Sequence, residues 1–213
     1  MKYKAVIFDF DGVIGKTMED NYRAWAKAFN RHGVSIERED YFLLEGMSGV
    51  AVAEHILSSN DMDSSLATAI AALKEQYYLE ENSFEFYPAV LELIEALRDR
   101  FKLGLVSGAG SMRLENTVSD EFLIKFETVV TGDSVKNSKP HPEPYLLAAR
   151  RLEVEPPSCV AVENAPLGIE SAKKAEMVCV AVCSTLPRKH LGQADFIVED
   201  IDSLYTFFDN ING

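Results

Sequence analysis

The chain has 213 residues, of which 47% are hydrophobic and 26% are charged, a balance typical of a soluble globular enzyme. Its net charge of −13 disfavours binding to nucleic acid or to an anionic membrane, because both depend on clusters of Lys and Arg. A small phosphorylated ligand is not excluded, since a metal ion and a few local cations can outweigh the overall charge. This length suffices for one large domain, or for a core with a smaller insert.

Secretion and membrane signals are not evident in the sequence. Met1 leads directly into a short strand-like segment that cannot serve as a signal peptide. No apolar stretch approaches the roughly 20 residues of a membrane span. Cys159, Cys179 and Cys183 lie in apolar segments and are interpreted as small core residues in a reducing compartment. We therefore expect a cytoplasmic location.

The first half of the chain is predicted to contain one strand followed only by helices. A β-prone run from Tyr3 to Phe8 ends at Asp9. Apolar residues then recur at three- and four-residue steps, which predicts a helix from Met18 to His32 and further helices between residues 39 and 83. We interpret this block as a small all-helical unit.

The second half alternates between short apolar segments and helical patterns. The predicted strands are 103–106, 127–130, 159–162, 178–183 and 196–198. The predicted helices are 90–101, 142–152, 165–176 and a last one from residue 201. This alternation predicts an α/β fold, a doubly wound, Rossmann-like parallel sheet with helices on both faces. Residues 1–15 and 87–213 would form its core domain, and residues 16–86 an inserted all-helical domain.

Polar side chains follow the predicted strands at their carboxyl ends, where parallel sheets bind ligands. Asp9 and Asp11 come directly after the first strand, in the motif Asp-Phe-Asp-Gly. One carboxylate can attack an electrophile while the other donates a proton, and a hard cation such as Mg²⁺ can hold the acids together. Alone, the motif is also compatible with a capped turn. A calcium-binding loop is disfavoured because Val13 stands at its third ligand position.

Three further groups of polar residues strengthen this interpretation. Ser107-Gly108 follows the second strand and offers a hydroxyl and backbone N–H groups to a phosphate. Lys139, before a proline, adds a positive charge, and Glu163-Asn164 adds oxygen ligands after the fourth strand. Each group alone could be structural. Because all of them follow in order, each at a strand end or in the loop after it, together they indicate phosphoryl chemistry.

With these four groups of residues in this order, the sequence resembles the haloacid dehalogenase (HAD) superfamily and, within it, the β-phosphoglucomutase-like branch. The resemblance covers nearly the whole chain. The matching segments are 6–14, 105–109, 132–140 and 162–169. It implies a doubly wound HAD core with a helical cap, residues 16–86, that closes over the substrate. These motifs are specific for the superfamily but indicate no particular substrate.

The resemblance also implies catalytic roles. Asp9 would be the nucleophile that forms an aspartyl-phosphate. Asp11 would be the general acid for the leaving group and then the base for water. Ser107, Gly108 and Lys139 would hold the phosphoryl oxygens and stabilise charge in the transition state.

The resemblance implies a Mg²⁺ cofactor as well. Its ligands would be Asp9, the backbone carbonyl of Asp11, Glu163 and Asn164. Many relatives carry Glu-Asp at the last pair. Asn164 keeps a carbonyl oxygen but lacks the charge, so we expect weaker metal affinity without loss of activity.

The cap departs from the pattern of a mutase. A mutase of this branch carries a His and an Arg that grip the second phosphate of a bisphosphate, and Asn21 and Gly49 occupy the matching positions. Lys74 is the cap cation predicted to reach the substrate, with a solvated helix-face lysine as the alternative. Thr17 either contacts the substrate or caps the helix that begins at Met18.

The sequence therefore predicts a magnesium-dependent phosphatase of small phosphorylated metabolites, sugar phosphates among them. The alternatives are a β-phosphoglucomutase-type isomerase, a dehalogenase and a non-enzymatic binder that keeps the fold. The predicted partner is a small phosphate ester, with no nucleic acid and no membrane. A monomer is the default expectation, since the sequence does not determine the oligomeric state.

Overall fold

The computed structural model describes residues 2–211, which form one six-stranded sheet and ten α-helices. The strands are β1 Ala5–Asp9, β2 Lys102–Val106, β3 Thr128–Val130, β4 Cys159–Glu163, β5 Val178–Val182 and β6 Phe196–Val198. All neighbouring strands pair in parallel, in the order β3-β2-β1-β4-β5-β6. The order reverses beside β1, so the crevice at the carboxyl end of β1 is the expected ligand site.

The helices fall into two groups. Those inserted after β1 are α1 Met18–Asn30, α2 Arg38–Leu43, α3 Gly49–Ser59 and α4 Ala67–Glu81. Those of the core are α5 Val90–Arg98, α6 Ser111–Thr117, α7 Asp120–Leu123, α8 Glu143–Arg151, α9 Pro166–Lys174 and α10 Asp202–Asn210. The predicted fold class, a doubly wound parallel sheet with an inserted helical cap, is confirmed.

The sheet is buried on both faces. Along β1, Ala5 and Ile7 belong to an apolar cluster that includes residues of α8, α9 and the cap. Val6 and Phe8 point the opposite way and join residues of α5 and α10. Strands buried on both faces need continuous apolar sequences, which is why each strand was predictable from its apolar run.

Element boundaries differ from the prediction in small ways. Both β1 and β4 extend one residue further than predicted, because Asp9 lies opposite Val106 in the sheet and Glu163 lies opposite Ala181. The bounds of the short helices α6 and α7 were not predicted, since neither is long enough to show a periodic apolar face.

The cap joins the core through two adjacent linkers. The Lys16 N–H donates to the Glu85 carbonyl and the Tyr87 N–H donates to the Ile14 carbonyl, each at 2.9 Å. The chain thus enters and leaves the cap side by side. Within residues 2–211, none of the helices combines the length and the apolar character that a membrane span requires.

Glu45, in the loop between α2 and α3, is a buried carboxyl in the cap. The Tyr41 hydroxyl donates a hydrogen bond to it at 2.8 Å. Burial, with nearby Asp11, raises the pKa of Glu45 to about 7, although Arg113 and Lys74 act in the opposite direction. Between pH 4.5 and about 7, the folded protein therefore keeps a proton on Glu45 that the unfolded chain has already lost.

Core packing makes a first prediction. Ile7→Ala removes a fully buried side chain from the middle of the central strand and should lower the free energy of unfolding by about 2–5 kcal/mol in urea denaturation. Ile124→Ala, at a side chain that is 76% exposed, should change it by less than about 0.5 kcal/mol. Equal effects would contradict the described core.

A second prediction concerns Glu45→Gln. Between pH 4.5 and about 7 the folded state binds the extra proton, so stability falls as the pH rises through this window. The variant should be more stable than the parent at pH 8, by up to about 3 kcal/mol, and similar to it near pH 4.5. Urea unfolding at both pH values measures this. Glu54→Gln, at an exposed cap acid, is the control, and an equal gain there would show a mere charge effect.

Candidate active site

The carboxyl edge of the sheet gathers the predicted site residues at one place. Asp9 ends β1, Ser107 follows β2, and Glu163 ends β4 with Asn164 next to it. Lys139 reaches the same point from the loop before α8. All five are buried, none more than 4% exposed. The structure therefore brings together residues that are up to 155 positions apart in the chain.

Lys139 is the charged centre of this group. Its ammonium donates to Asp9 Oδ1 at 2.5 Å and to Glu163 Oε1 at 2.6 Å. Burial alone would lower the pKa of Lys139, but the two carboxylates outweigh burial and raise it. Burial raises the pKa of Asp9 well above its usual range, against the opposing effect of Lys139. Lys139 thus stays protonated beside the predicted nucleophile.

Glu163 acts as the anchor of that lysine. Besides Lys139, its Oε1 accepts a hydrogen bond from the Tyr145 hydroxyl at 2.6 Å. Its Oε2 accepts from the Asn164 N–H at 3.0 Å. Both carboxylate oxygens are therefore engaged by the protein, and the assignment of Glu163 as a direct metal ligand stays a prediction.

Asp11 accepts hydrogen bonds from the side chains of four residues. Thr17 Oγ1 donates to Oδ1 at 2.6 Å and Asn21 Nδ2 at 3.2 Å, while Ser107 Oγ donates to Oδ2 at 3.3 Å and Arg113 Nη2 at 3.0 Å. Burial would raise the pKa of Asp11, but Arg113 and the Thr17 hydrogen bond outweigh it, and the pKa lies below its ordinary value.

Thr17 has a different role from helix capping. No side-chain capping hydrogen bond forms at the start of α1, so the capping alternative is wrong. The hydroxyl is directed to Asp11 instead. Whether Thr17 also contacts a substrate stays a prediction.

Arg113 is a site residue that the sequence analysis missed. It lies on α6, one turn after the Ser107-Gly108 loop, and is 8% exposed. Its guanidinium contacts Asp11 and donates to Asn21 Oδ1 at 2.8 Å. The only signal in the sequence is a lone cation early in the segment after that loop, which on its own does not distinguish a buried arginine from a surface one.

The predicted phosphate loop lies beneath the cap. The Ala109 N–H donates to Ser107 Oγ at 3.1 Å, which orients the hydroxyl. A Cβ added at Gly108 would lie 3.3 Å from the Gly46 carbonyl of the cap. Gly46 in turn lies against the aliphatic chain of Lys139, where an added Cβ would be 2.8 Å from Cδ. The cap therefore covers both predicted phosphate-binding groups.

The oxygen groups at this edge fit a Mg²⁺ ion. Asn164 Oδ1 is buried and has no hydrogen-bond partner, while its Nδ2 donates to Thr185 Oγ1 at 2.9 Å. The amide is thus held with its oxygen free, just after β4, the strand that pairs with the strand that Asp9 ends. No cluster of three or more His, Cys, Asp or Glu ligands occurs within residues 2–211, so a cation would also depend on amide and backbone oxygens, as Mg²⁺ sites commonly do.

Lys74 is buried, and the alternative of a solvated lysine is wrong. It is 3% exposed, and its Nζ donates to Asn21 Oδ1 at 2.6 Å and to Glu75 Oε1 at 3.1 Å. Burial, followed by the nearby Arg113 charge, lowers the pKa of Lys74 to about 8. The cap therefore contributes a cation to the interior of the site.

A cavity of about 510 Å³ lies between the cap and the phosphate loop, a size typical of small-molecule sites. Its polar lining includes Asn21, Lys74 and Arg113, and Trp25 adds an aromatic wall. Gly49 also lines the cavity but contributes no charge there. Of the two positions at which a mutase has His and Arg, one therefore carries the neutral amide of Asn21 and the other is Gly49, which has no side chain.

Comparison with known proteins agrees with this geometry. The family model described as haloacid dehalogenase-like hydrolase matches residues 6–182. A validoxylamine A 7′-phosphate phosphatase of Streptomyces hygroscopicus subsp. limoneus is 31% identical, over 93% of this chain and 94% of its own. A fructose-1-phosphate phosphatase of Escherichia coli is 30% identical, over 85% and 97%.

Among solved structures, β-phosphoglucomutase from Clostridium difficile superposes with a TM-score of 0.84 at 28% identity, covering 97% of this chain and 96% of that one. The chain belongs to the haloacid dehalogenase-like hydrolases, in their β-phosphoglucomutase-like branch.

Proposed function

We propose that this phosphoric monoester hydrolase cleaves small phosphorylated metabolites, sugar phosphates among them, through an aspartyl-phosphate on Asp9. One observation carries the proposal: the Asp9 carboxylate lies 2.5 Å from the Lys139 ammonium, with Asp11 two residues further on. The relatives named for hydrolysis of validoxylamine A 7′-phosphate and fructose 1-phosphate support this substrate class.

In the first step an Asp9 oxygen attacks phosphorus, forming an O–P bond as the ester P–O bond breaks. Asp11 gives its proton to the leaving oxygen. A phosphate dianion favours the protonated form of a nearby carboxyl, because like charges raise its pKa. Lys139, Ser107 and the Gly108 backbone stabilise the charge on the phosphoryl oxygens.

In the second step a water molecule attacks the phosphorus of the aspartyl-phosphate. Asp11 takes the proton from that water, and the bond to Asp9 breaks to release inorganic phosphate. The contacts of Asp11 with Thr17 and Arg113 favour its ionised form, which is the form a base requires.

A Mg²⁺ ion would be held by Asp9, the Asp11 backbone carbonyl and Asn164, with Glu163 as a further candidate. When bound, it neutralises negative charge on the phosphoryl group. The unpartnered Asn164 Oδ1 supports this assignment.

The helical insert is proposed to act as one mobile unit, residues 16–86, on a core of residues 1–15 and 87–213. The adjacent linkers support a hinge at its base, since motion there leaves the sheet undisturbed. Closure would exclude water while the phosphoryl group is transferred. We further propose a cytoplasmic monomer, consistent with three free cysteines.

Phosphate transfer between two positions of one sugar is a second candidate, supported by the similarity to β-phosphoglucomutase. A mutase must retain a bisphosphate intermediate. Asn21 and Gly49 provide no charge for its second phosphate, which favours hydrolysis.

A third prediction tests the nucleophile. Asp9→Asn should lower the hydrolysis rate of phenyl phosphate with Mg²⁺ by about 10³-fold or more, because an amide cannot form the aspartyl-phosphate. Released phosphate is measured. Asp99→Asn, at an exposed acid, is the matched control. Retained activity in Asp9→Asn would refute the mechanism.

A separate assay distinguishes the mutase alternative. Conversion of β-glucose 1-phosphate to glucose 6-phosphate by the parent enzyme with a bisphosphate primer would favour the mutase.

A fourth prediction tests the metal. Asn164→Asp adds a carboxylate at the carboxyl edge of the sheet and should lower the Mg²⁺ concentration for half-maximal activity by about tenfold, or about 1.4 kcal/mol. Mg²⁺ titrations of the parent and the variant measure this. An unchanged midpoint would argue against Asn164 as a ligand, and full activity in the presence of EDTA would argue against a metal altogether.

A further inference from the structure

Two buried polar atoms face each other across the boundary between cap and core. Arg113 Nε, on core helix α6, lies 3.6 Å from Glu75 Oε2, on cap helix α4. This distance exceeds that of a hydrogen bond, and neither atom has another hydrogen-bond partner. Both residues line the cavity described above. A buried donor and a buried acceptor are therefore left unsatisfied at the same point.

The other polar atoms of both groups are occupied. Arg113 Nη2 donates to Asp11 and Nη1 to Asn21, at 3.0 and 2.8 Å. Glu75 Oε1 accepts from Lys74 at 3.1 Å. These contacts fix the guanidinium and the carboxylate, and they leave Nε and Oε2 as a donor and an acceptor whose hydrogen-bonding capacity is unused.

Their place in the site indicates which part of a substrate they meet. Arg113 touches Asp11, which is proposed to protonate the leaving oxygen of the ester. The cavity atoms next to Arg113 therefore correspond to the part of the leaving group near that oxygen. In the proposed mechanism the phosphoryl group itself would lie at Asp9 and Lys139.

We propose that Arg113 and Glu75 form a specificity-determining pair that binds a hydroxyl of the leaving group near the phosphate ester. The hydroxyl accepts a hydrogen bond from Arg113 Nε and donates one to Glu75 Oε2. The pair thus selects polyol phosphates over esters without that hydroxyl. This inference rests on the proposed phosphatase function.

Charge and hydrogen-bond chemistry favour a hydroxyl over other groups. Asp11 and Glu75 already pair with the two cations, Arg113 and Lys74, so a second anionic group would add negative charge where these cations are already paired. An ammonium group has no acceptor for Arg113 Nε. A hydroxyl is both donor and acceptor, so it satisfies both atoms at once.

The test compares glucitol 6-phosphate with its 5-deoxy analogue, which lacks the hydroxyl next to the ester carbon. The parent enzyme should favour glucitol 6-phosphate by about tenfold or more in kcat/KM, because a site built to bind a hydroxyl discriminates against its absence. In Glu75→Gln and in Arg113→Lys the ratio should fall to within about threefold of unity. Glu54→Gln, the exposed cap control, should keep the parent ratio.

A merely structural role of the pair predicts a different result. The kcat/KM values for both substrates would then fall by the same factor in each variant. The ratio between the two substrates would persist, and this result would overturn the proposal. Equal kcat/KM values for the two substrates in the parent enzyme would overturn it as well. If turnover is slow, inhibition constants against phenyl phosphate hydrolysis give the corresponding ratio of binding affinities. Failure of the parent enzyme to hydrolyse even phenyl phosphate would instead refute the proposed function.

Discussion

One buried ammonium group, that of Lys139, holds the site together. Two carboxylates at adjacent strand ends would repel each other and would be costly to bury without a cation between them. Lys139 supplies that cation at 2.5 and 2.6 Å, from a loop that belongs to neither strand. The edge of the sheet, the loop before α8 and the cap above it are therefore arranged around a single charge.

The cap also contacts Lys139 and the acids of the site. Gly46 of the cap lies against the carbon chain of Lys139, and Asn21 and Lys74 extend the polar network from Asp11 into the cap. The cap thus completes the electrostatic surroundings of the acids. Asp9 and Asp11 are buried among fixed dipoles and charges, which strengthens each of these interactions.

The sequence alone predicted the fold and most of the site for a physical reason. Strands buried on both faces require continuous apolar runs, so the polar residues that end them, such as Asp9 and Glu163, stand out. Arg113 lacked such a contrast, because a cation on a short helix looks the same whether it faces solvent or a buried acid. The free Nε of Arg113 and the free oxygen of Asn164 depend on which neighbours occupy their other atoms, which only the three-dimensional arrangement determines.

The side-by-side linkers at the base of the cap have an evolutionary consequence. Since the chain leaves and re-enters the core at one point, the sheet tolerates changes in the length of the insert, as it would tolerate them in a surface loop with fixed ends. Selectivity can therefore diversify by replacement of the insert while the phosphoryl machinery is inherited unchanged. Arg113 limits such replacement, because it is a core residue that contacts Asn21 and Glu75 of the insert. A change of the insert at these positions would therefore require a matching change at Arg113.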